Sequence, residues 1–213
     1  MEFLKTLIRS GNARNNPRAV ETNEEGDLYI AQGRAAAYTE IARGGEMWSL
    51  ISAAGTPLVV IPTTLCILEI WNNTQRTFEV IDLFLFHLLG TAAVHNQSIW
   101  AEVTAPKASP ALQASTVVGS HSGKAPYTAT LGTDLVPGAG TTVVSAGWRP
   151  WGTPGSGLVS TALPGEAFSV PVDGKMIVPP RCSLAITCVD ALATASSVQV
   201  GATVNFRRNL TLD

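Results

Sequence analysis

The ten residues from Ser197 to Phe206 alternate without a break. Val198, Val200, Ala202, Val204 and Phe206 fall on one side of an extended chain, and Ser197, Gln199, Gly201, Thr203 and Asn205 on the other. A helix buries residues three and four apart, so this period of two belongs to a strand in a sheet with one buried and one wet face. From Leu28 onward the chain keeps this extended character, with short apolar or alternating runs set off by Gly, Pro, Asn and Thr. Strands are expected at Leu28 to Gln32, Met47 to Ala53, Leu65 to Asn72, Phe78 to Leu88, Ser98 to Thr104, Phe168 to Val172, Ser183 to Val189 and Ser197 to Phe206. Helix competes only over Phe78 to Leu89, and the opening Phe78-Glu79-Val80-Ile81 favours strand. Asn72-Asn73-Thr74-Gln75 is turn chemistry and predicts a hairpin there. Pro57 and Pro62 bracket Leu58 to Ile61, which places that run at a sheet edge or in a crossing loop.

Two stretches stand apart. Residues 1 to 27 carry Lys5, Arg9, Arg14 and Arg18 and then Glu21, Glu24, Glu25 and Asp27, and read as an arm before a domain spanning 28 to 213. Phe3, Leu4, Leu7 and Ile8 allow one short amphipathic turn that needs a docking surface to be stable, so a frayed terminus and a docking arm both stay open. Residues 105 to 165 hold many of the prolines and glycines and read as a loop-rich insertion. Weak strands at Leu112 to Val118, Tyr127 to Leu131, Thr141 to Ser145 and Gly157 to Thr161 suit a small flap. Eight main strands, one long connection, no crossover helices and no fixed-period repeat predict an all-β fold, an antiparallel β-sandwich of the single jelly-roll kind.

Composition removes several function classes. Of 213 residues, 46% are hydrophobic and only 14% charged, so Ser, Thr, Ala, Gly and Asn must cover much of the surface, a poor surface for a solitary monomer. A formal net charge of −2 gives no general pull toward nucleic acid, and four basic residues followed by four acidic ones make a weak polyanion grip. The longest apolar stretches are broken by Pro62 and Glu69 and by Asp82, His87 and Gly90, too soon for a membrane span. The start lacks the pattern of a secretory leader, so synthesis inside a cell is expected. Cys66, Cys182 and Cys188 form no paired motif. Cys182 and Cys188 lie about 20 Å apart on an extended strand, against the about 7 Å that a bridge allows, so reduced core thiols are expected.

No catalytic, cofactor or metal residues are assigned. Gly119-Ser120-His121-Ser122-Gly123 has the glycine spacing of a nucleophile elbow, but puts His where the nucleophile belongs and has no helix after it. His87, His95 and His121 lack zinc-ligand spacing, and His87 reads as a core or interface histidine. The carboxylates are scattered singly, so no glycosidase pair can be picked from spacing. Gly152 to Gly157 lacks the Lys-Ser/Thr of a phosphate loop and reads as a turn. The asparagine sites at Asn72, Asn96 and Asn209 match a glycosylation pattern by chance if the chain stays inside the cell. Trp148-Arg149-Pro150-Trp151 weighs more, because two tryptophans and an arginine in a flexible loop have the character of interface anchors. Sugar stacking and plain packing onto the sandwich are its other two uses. The interface candidates are therefore Phe3, Leu7, Arg9, Arg14, Arg18, Trp148, Arg149 and Trp151.

Gly26-Asp27-Leu28-Tyr29-Ile30-Ala31-Gln32-Gly33, Gly45-Glu46-Met47-Trp48, the segment Leu68-Glu69-Ile70-Trp71-Asn72 and the run Ile177-Val178-Pro179-Pro180-Arg181-Cys182-Ser183-Leu184 before a last alternating strand together resemble virion proteins of tailed bacteriophages and related viruses. The resemblance is one of arrangement over residues 26 to 208. It implies a jelly-roll subunit of a virus particle, made in the host cytoplasm, in the shell, at a vertex or as cement or decoration, without enzymatic activity. The implied partners are further copies, as a trimer or pentamer, and other virion proteins. The alternative is a carbohydrate-binding sandwich of the phage fibre or receptor-binding type, using Trp148, Trp151 and Tyr127.

Overall fold

Twelve strands appear in the computed structural model, which describes residues 47–89, 93–111, 117–120, 135–138, 147–152, 156–159, 167–190 and 196–206. They are β1 (Met47–Ile51), β2 (Leu68–Asn72), β3 (Phe78–Leu89), β4 (Ala93–Val103), β5 (Val117–Ser120), β6 (Leu135–Gly138), β7 (Arg149–Gly152), β8 (Ser156–Val159), β9 (Ala167–Pro171), β10 (Ile177–Val178), β11 (Ser183–Asp190) and β12 (Ser197–Phe206). Among the described residues there is no helix. All of them belong to the unit Ile41–Asp213. The arm at 1–27 and the strands expected at 28–32, 127–131 and 141–145 lie outside the described residues.

The ladders nest from the two ends of the chain inward: β1 with β12, β2 with β11, β3 with β10 and β9, and β4 with β8 and β7, all antiparallel. β12 then pairs with β3, and β11 with β4. A long double ribbon rolled on itself in this way is a jelly roll, with β1 to β6 passing alternately to opposite sheets. One sheet runs β10-β3-β12-β1-β5 with β9 also on β3, and the other runs β6-β2-β11-β4-β7 with β8 also on β4. The described parts of the 105–165 stretch form no separate flap. β5 extends the first sheet, β6 extends the second, and β7 and β8 line the outer side of β4.

Residues of both sheets meet in one core. Leu50, Val80, Leu83, Leu85, Val198, Val200 and Val204 come from the first sheet, and Leu68, Ile70, Ile99, Leu184, Ile186 and Cys188 from the second. Outside β3 each follows the period of two on its strand. In β3 the inward set is Phe78 and Val80, then Leu83, Leu85 and His87, so the phase slips by one residue. A β-bulge takes up the slip, with Thr203 opposite Asp82 and Val204 opposite Val80, leaving Ile81 over. The carbonyl of Ile81 accepts the backbone N–H groups of Val172 (2.8 Å) and Asp173 (2.9 Å), from a turn in which Asp173 and Gly174 hold left-handed angles of 50° and 74°.

Two local expectations change in three dimensions. Asn72 to Gln75 is no hairpin, because β2 and β3 belong to different sheets. The buried Asn72 side chain donates to the carbonyls of Arg76 (2.7 Å) and Val178 (3.0 Å), and its Oδ1 accepts from the backbone and hydroxyl of Thr74 at 3.0 and 2.7 Å. That network ties the turn to β10 of the opposite sheet. The outward face of β12 is not wet along its length, since Gly201, Thr203 and Asn205 are buried. A Cβ on Gly201 would lie 2.2 Å from the Phe84 ring and 2.3 Å from the Leu50 carbonyl oxygen, so the neighbouring strand closes over that position. The three cysteines are buried as free thiols.

Candidate functional site

Between β1 and β2 the chain crosses from one sheet to the other. Gly55 exchanges both backbone bonds with Val198 of the first sheet, at 2.8 and 2.9 Å. Three residues on, Leu58 donates to Cys188 (2.8 Å) and accepts from Asp190 (2.8 Å) in the second. A Cβ on Gly55 would meet Ile67 Cγ2 at 2.7 Å, so the returning chain packs directly on that glycine. Pro57 and Pro62 turn inward and are buried, which leaves the apolar residues between them pointing out. Val59 is 57% exposed, Val60 65% and Ile61 64%, and Leu65 follows at 48%. No charged residue occurs from Ser49 to Leu68. The result is an uncharged apolar ridge whose backbone is bonded at its base.

The ridge is also anchored from the side. Trp148 Nε1–H donates to the Thr63 carbonyl at 3.1 Å, and the indole packs against Cys66 and Ala185 on the outer face of the second sheet. Trp148-Arg149-Pro150-Trp151 is therefore no flexible loop, because from Arg149 it is the edge strand β7. Its ladder slips between Ile99 and Trp100, with Gly152 opposite Ile99 and Pro150 opposite Trp100. Trp151 sits at that slip and packs against the main core, while Arg149 and Pro150 are exposed. The Trp151 Nε1–H is buried without a hydrogen-bond partner. Of the interface candidates named from sequence, Trp148 is bonded to the ridge at Thr63, Arg149 is exposed on β7 opposite Ala101, and Trp151 faces inward. Phe3, Leu7, Arg9, Arg14 and Arg18 lie outside the described residues.

Under this cover the outer face of the second sheet is polar and buried. Glu69, Ala185 and Glu102 stand in one row across β2, β11 and β4. The Glu69 carboxylate, fully buried, accepts from Ser183 Oγ (2.6 Å) and Lys107 Nζ (2.7 Å). Glu102 accepts the Gly147 N–H at 3.3 Å, and burial raises its carboxyl above the usual range against the smaller lowering effect of that bond. Two strand spacings place the two backbones about 10 Å apart, with Ala185 between them. The carboxylates serve as separate anchors for the cover.

A second polar group links the sheets at one end of the core. Ser196 Oγ lies 3.0 Å from His87 Nε2, and Gln97 Nε2 donates to Asp190 Oδ2 (3.3 Å) and Ser196 Oγ (3.5 Å). The residue types are those of a nucleophile triad, but the aspartate bonds the glutamine, and Ser196 and His87 are 7% and 2% exposed. The group is a buried polar tie between β3, β4 and β11. His87 is thus a core histidine. Ser120 of the Gly-Ser-His-Ser-Gly run pairs opposite Trp48 in β5, and His121 lies outside the described residues. Among the described residues no three His, Cys, Asp or Glu gather as metal ligands, and no helix is long and apolar enough to cross a membrane.

No protein-family model matches the chain, and no curated protein matches it. A solved structure from Sacbrood virus of honeybee is similar at 11% identity over 94% of this chain and 80% of that one. Its TM-score is 0.19, a likeness too slight to bear on fold or function.

Sequence spacing did not single out Val59, Val60, Ile61 and Leu65. The signal was present in two features: a β-branched run between two prolines, and the absence of charge from Ser49 to Leu68.

Proposed function

We propose that this chain is a structural protein of a virus particle, a capsid shell, vertex or cement subunit that assembles with copies of itself and with other virion proteins. The observation that carries the reading is the uncharged ridge held out from a rigid jelly roll. Four large aliphatic side chains about half or more exposed, Leu65 the least at 48%, on a backbone bonded to both sheets favour a covered surface over a permanently wet one. The charge-poor composition supports it, since burying such a surface desolvates few ionised groups. The resemblance in arrangement to virion proteins supplies the setting: synthesis in a host cytoplasm, residence in the particle, trimers or pentamers as building blocks, and no reaction to catalyse. The jelly roll itself also serves lectins, so the fold does not choose between uses. Carbohydrate binding calls for an open indole face, and Trp151 lies against the core while Trp148 is partly covered by Cys66 and Ala185. Light scattering and negative-stain imaging of the purified full chain test the proposal. Closed symmetric species are expected, and a clean monomer at high concentration would sink it.

A further inference from the structure

We infer that the edge strand β10 pairs with β10 of a second copy of this chain, antiparallel across a two-fold axis at Ile177. This rests on the assembly reading and adds one of its contacts. The backbone argues for it first. Val80 N–H donates to the Met176 carbonyl at 3.0 Å, so Met176 and Val178 turn their bonding groups toward β3. Ile177, between them, turns its N–H and C=O to the outer edge, and among the described residues β10 ends its sheet. Met176 and Val178 are buried, so the Ile177 side chain stands on the outer face, 47% exposed. Two copies turned about Ile177 exchange two backbone bonds and set the isoleucines side by side as a cross-strand pair. Pro179 limits the ladder to those two bonds.

Charge fixes the register. Asp173 and Arg181 stand four residues to either side of Ile177, both exposed and both with left-handed angles, of 50° and 62°. Antiparallel pairing about Ile177 brings residue 173 of each copy opposite residue 181 of the other, a carboxylate against a guanidinium twice over. The long arginine side chain takes up the offset that the turns introduce. Both turns are held before association. Asp173 N–H donates to the Ile81 carbonyl at 2.9 Å and Arg181 N–H to the Asn72 carbonyl at 2.7 Å, while the Arg181 carbonyl accepts from Lys107 N–H (2.9 Å) and Trp71 Nε1–H (3.1 Å). An arginine is an uncommon residue at such a backbone angle, and among the described residues its guanidinium makes no hydrogen bond or ion pair. The Asp173 carboxylate has two oxygens, so a bond within its own chain leaves acceptor capacity for the second copy. The other nearby charges do not oppose the contact. Lys175 falls opposite Pro179 of the second copy, and Glu79, beside Ile177 in β3, lies three strand spacings from its mate, about 14 Å. β5 is a proline-free edge too, but Val117 to Ser120 hold no charge to set a register, and β6 and β7 carry Pro137 and Pro150.

The test uses the full chain and its Ile177→Cys, Asp173→Arg and Arg181→Asp variants, with the double charge reversal, in sedimentation velocity and with thermal melts as the folding check. Wild type is expected to self-associate. Because the native thiols are buried, Ile177→Cys should give a covalent dimer on mild oxidation, since a bonded cross-strand pair sets its Cα atoms about 5.5 Å apart, within the reach of a disulfide. Each single reversal should weaken association about tenfold or more at low salt, because it turns both ion pairs of the contact into repulsions, and the double reversal should restore it. An assembled Ile177→Cys that forms no dimer overturns this inference and leaves the assembly reading standing. So does a double reversal that melts as wild type yet associates as weakly as the singles. Where a reversal melts early, Ile177→Cys decides alone. A wild-type monomer at high concentration overturns both readings.

Discussion

Gly201 shows how a single residue sets the spacing of a sheet. Its missing Cβ would strike a backbone oxygen, that of Leu50, which cannot rotate away as the Phe84 ring can. Gly201→Ala is therefore expected to destabilise by about 3 kcal/mol in urea unfolding, and adding Phe84→Ala should not restore the loss. The buried Glu69 carboxylate depends on its partners in a similar way. Lys107→Met removes the ammonium bonded to it and is expected to cost about 3 kcal/mol, most of which the double variant with Glu69→Met recovers. Cys188 offers a pH test. Burial, followed by the Asp190 charge, pushes its thiol up to about 12 from an ordinary 9.0. The folded state keeps a proton that the unfolded chain releases, so the stability it confers is complete below pH 9 and is lost as pH rises toward 12. Urea midpoints of Cys188→Ala should fall less steeply than those of wild type between pH 9 and 11. In the native protein Cys188 should resist iodoacetamide at pH 8.

β3 explains why one element was ambiguous to sequence reasoning. Val80, Leu83, Phe84 and His87 stand at the spacing of a helical face, and that is the bulge at Ile81 seen as sequence: an extra residue inserted into a period of two yields a step of three. The β-branched start was the better guide. The turn after β2 held the opposite lesson. Its composition was read correctly as a turn but wrongly as a hairpin, because turn residues encode a reversal of the chain and say nothing about which sheet receives the next strand. Asn72 performs that transfer by bonding the Val178 carbonyl in the other sheet. Asn72→Ala breaks four side-chain bonds in a buried turn and should cost about 3 kcal/mol by urea unfolding, with faster hydrogen exchange in β2 and β10 together. β7 follows the same rule. A tryptophan pair that looked like a flexible anchor is an edge strand, and one register slip sends Trp151 to the core.

At the scale of the molecule, the first described strand pairs with the last, and every later pair is nested inside that one. Such a fold has few local contacts to reward early closure, so refolding from urea is expected to be slow for its size, milliseconds to seconds, in stopped-flow fluorescence. β12 lies between β1 and β3, and its loss would open the first sheet through its middle. A chain ending at residue 196 should show no cooperative melt. The ridge belongs to this scale as well. It exists because the crossing from Gly55 to Leu58 is bonded to both sheets while two buried prolines turn the intervening aliphatics outward.

Strand identity and the all-β class were legible from residue order, because a period of two and turn residues are local quantities that short-range sterics impose wherever the strand ends up. The partners of those strands were not local. Which sheet each strand enters, the tie between His87 and Ser196 more than a hundred residues apart in the chain, the burial of Glu69 and the outward turn of Val59 to Ile61 follow from how the rolled ribbon closes, and no window of sequence contains both sides of that closure.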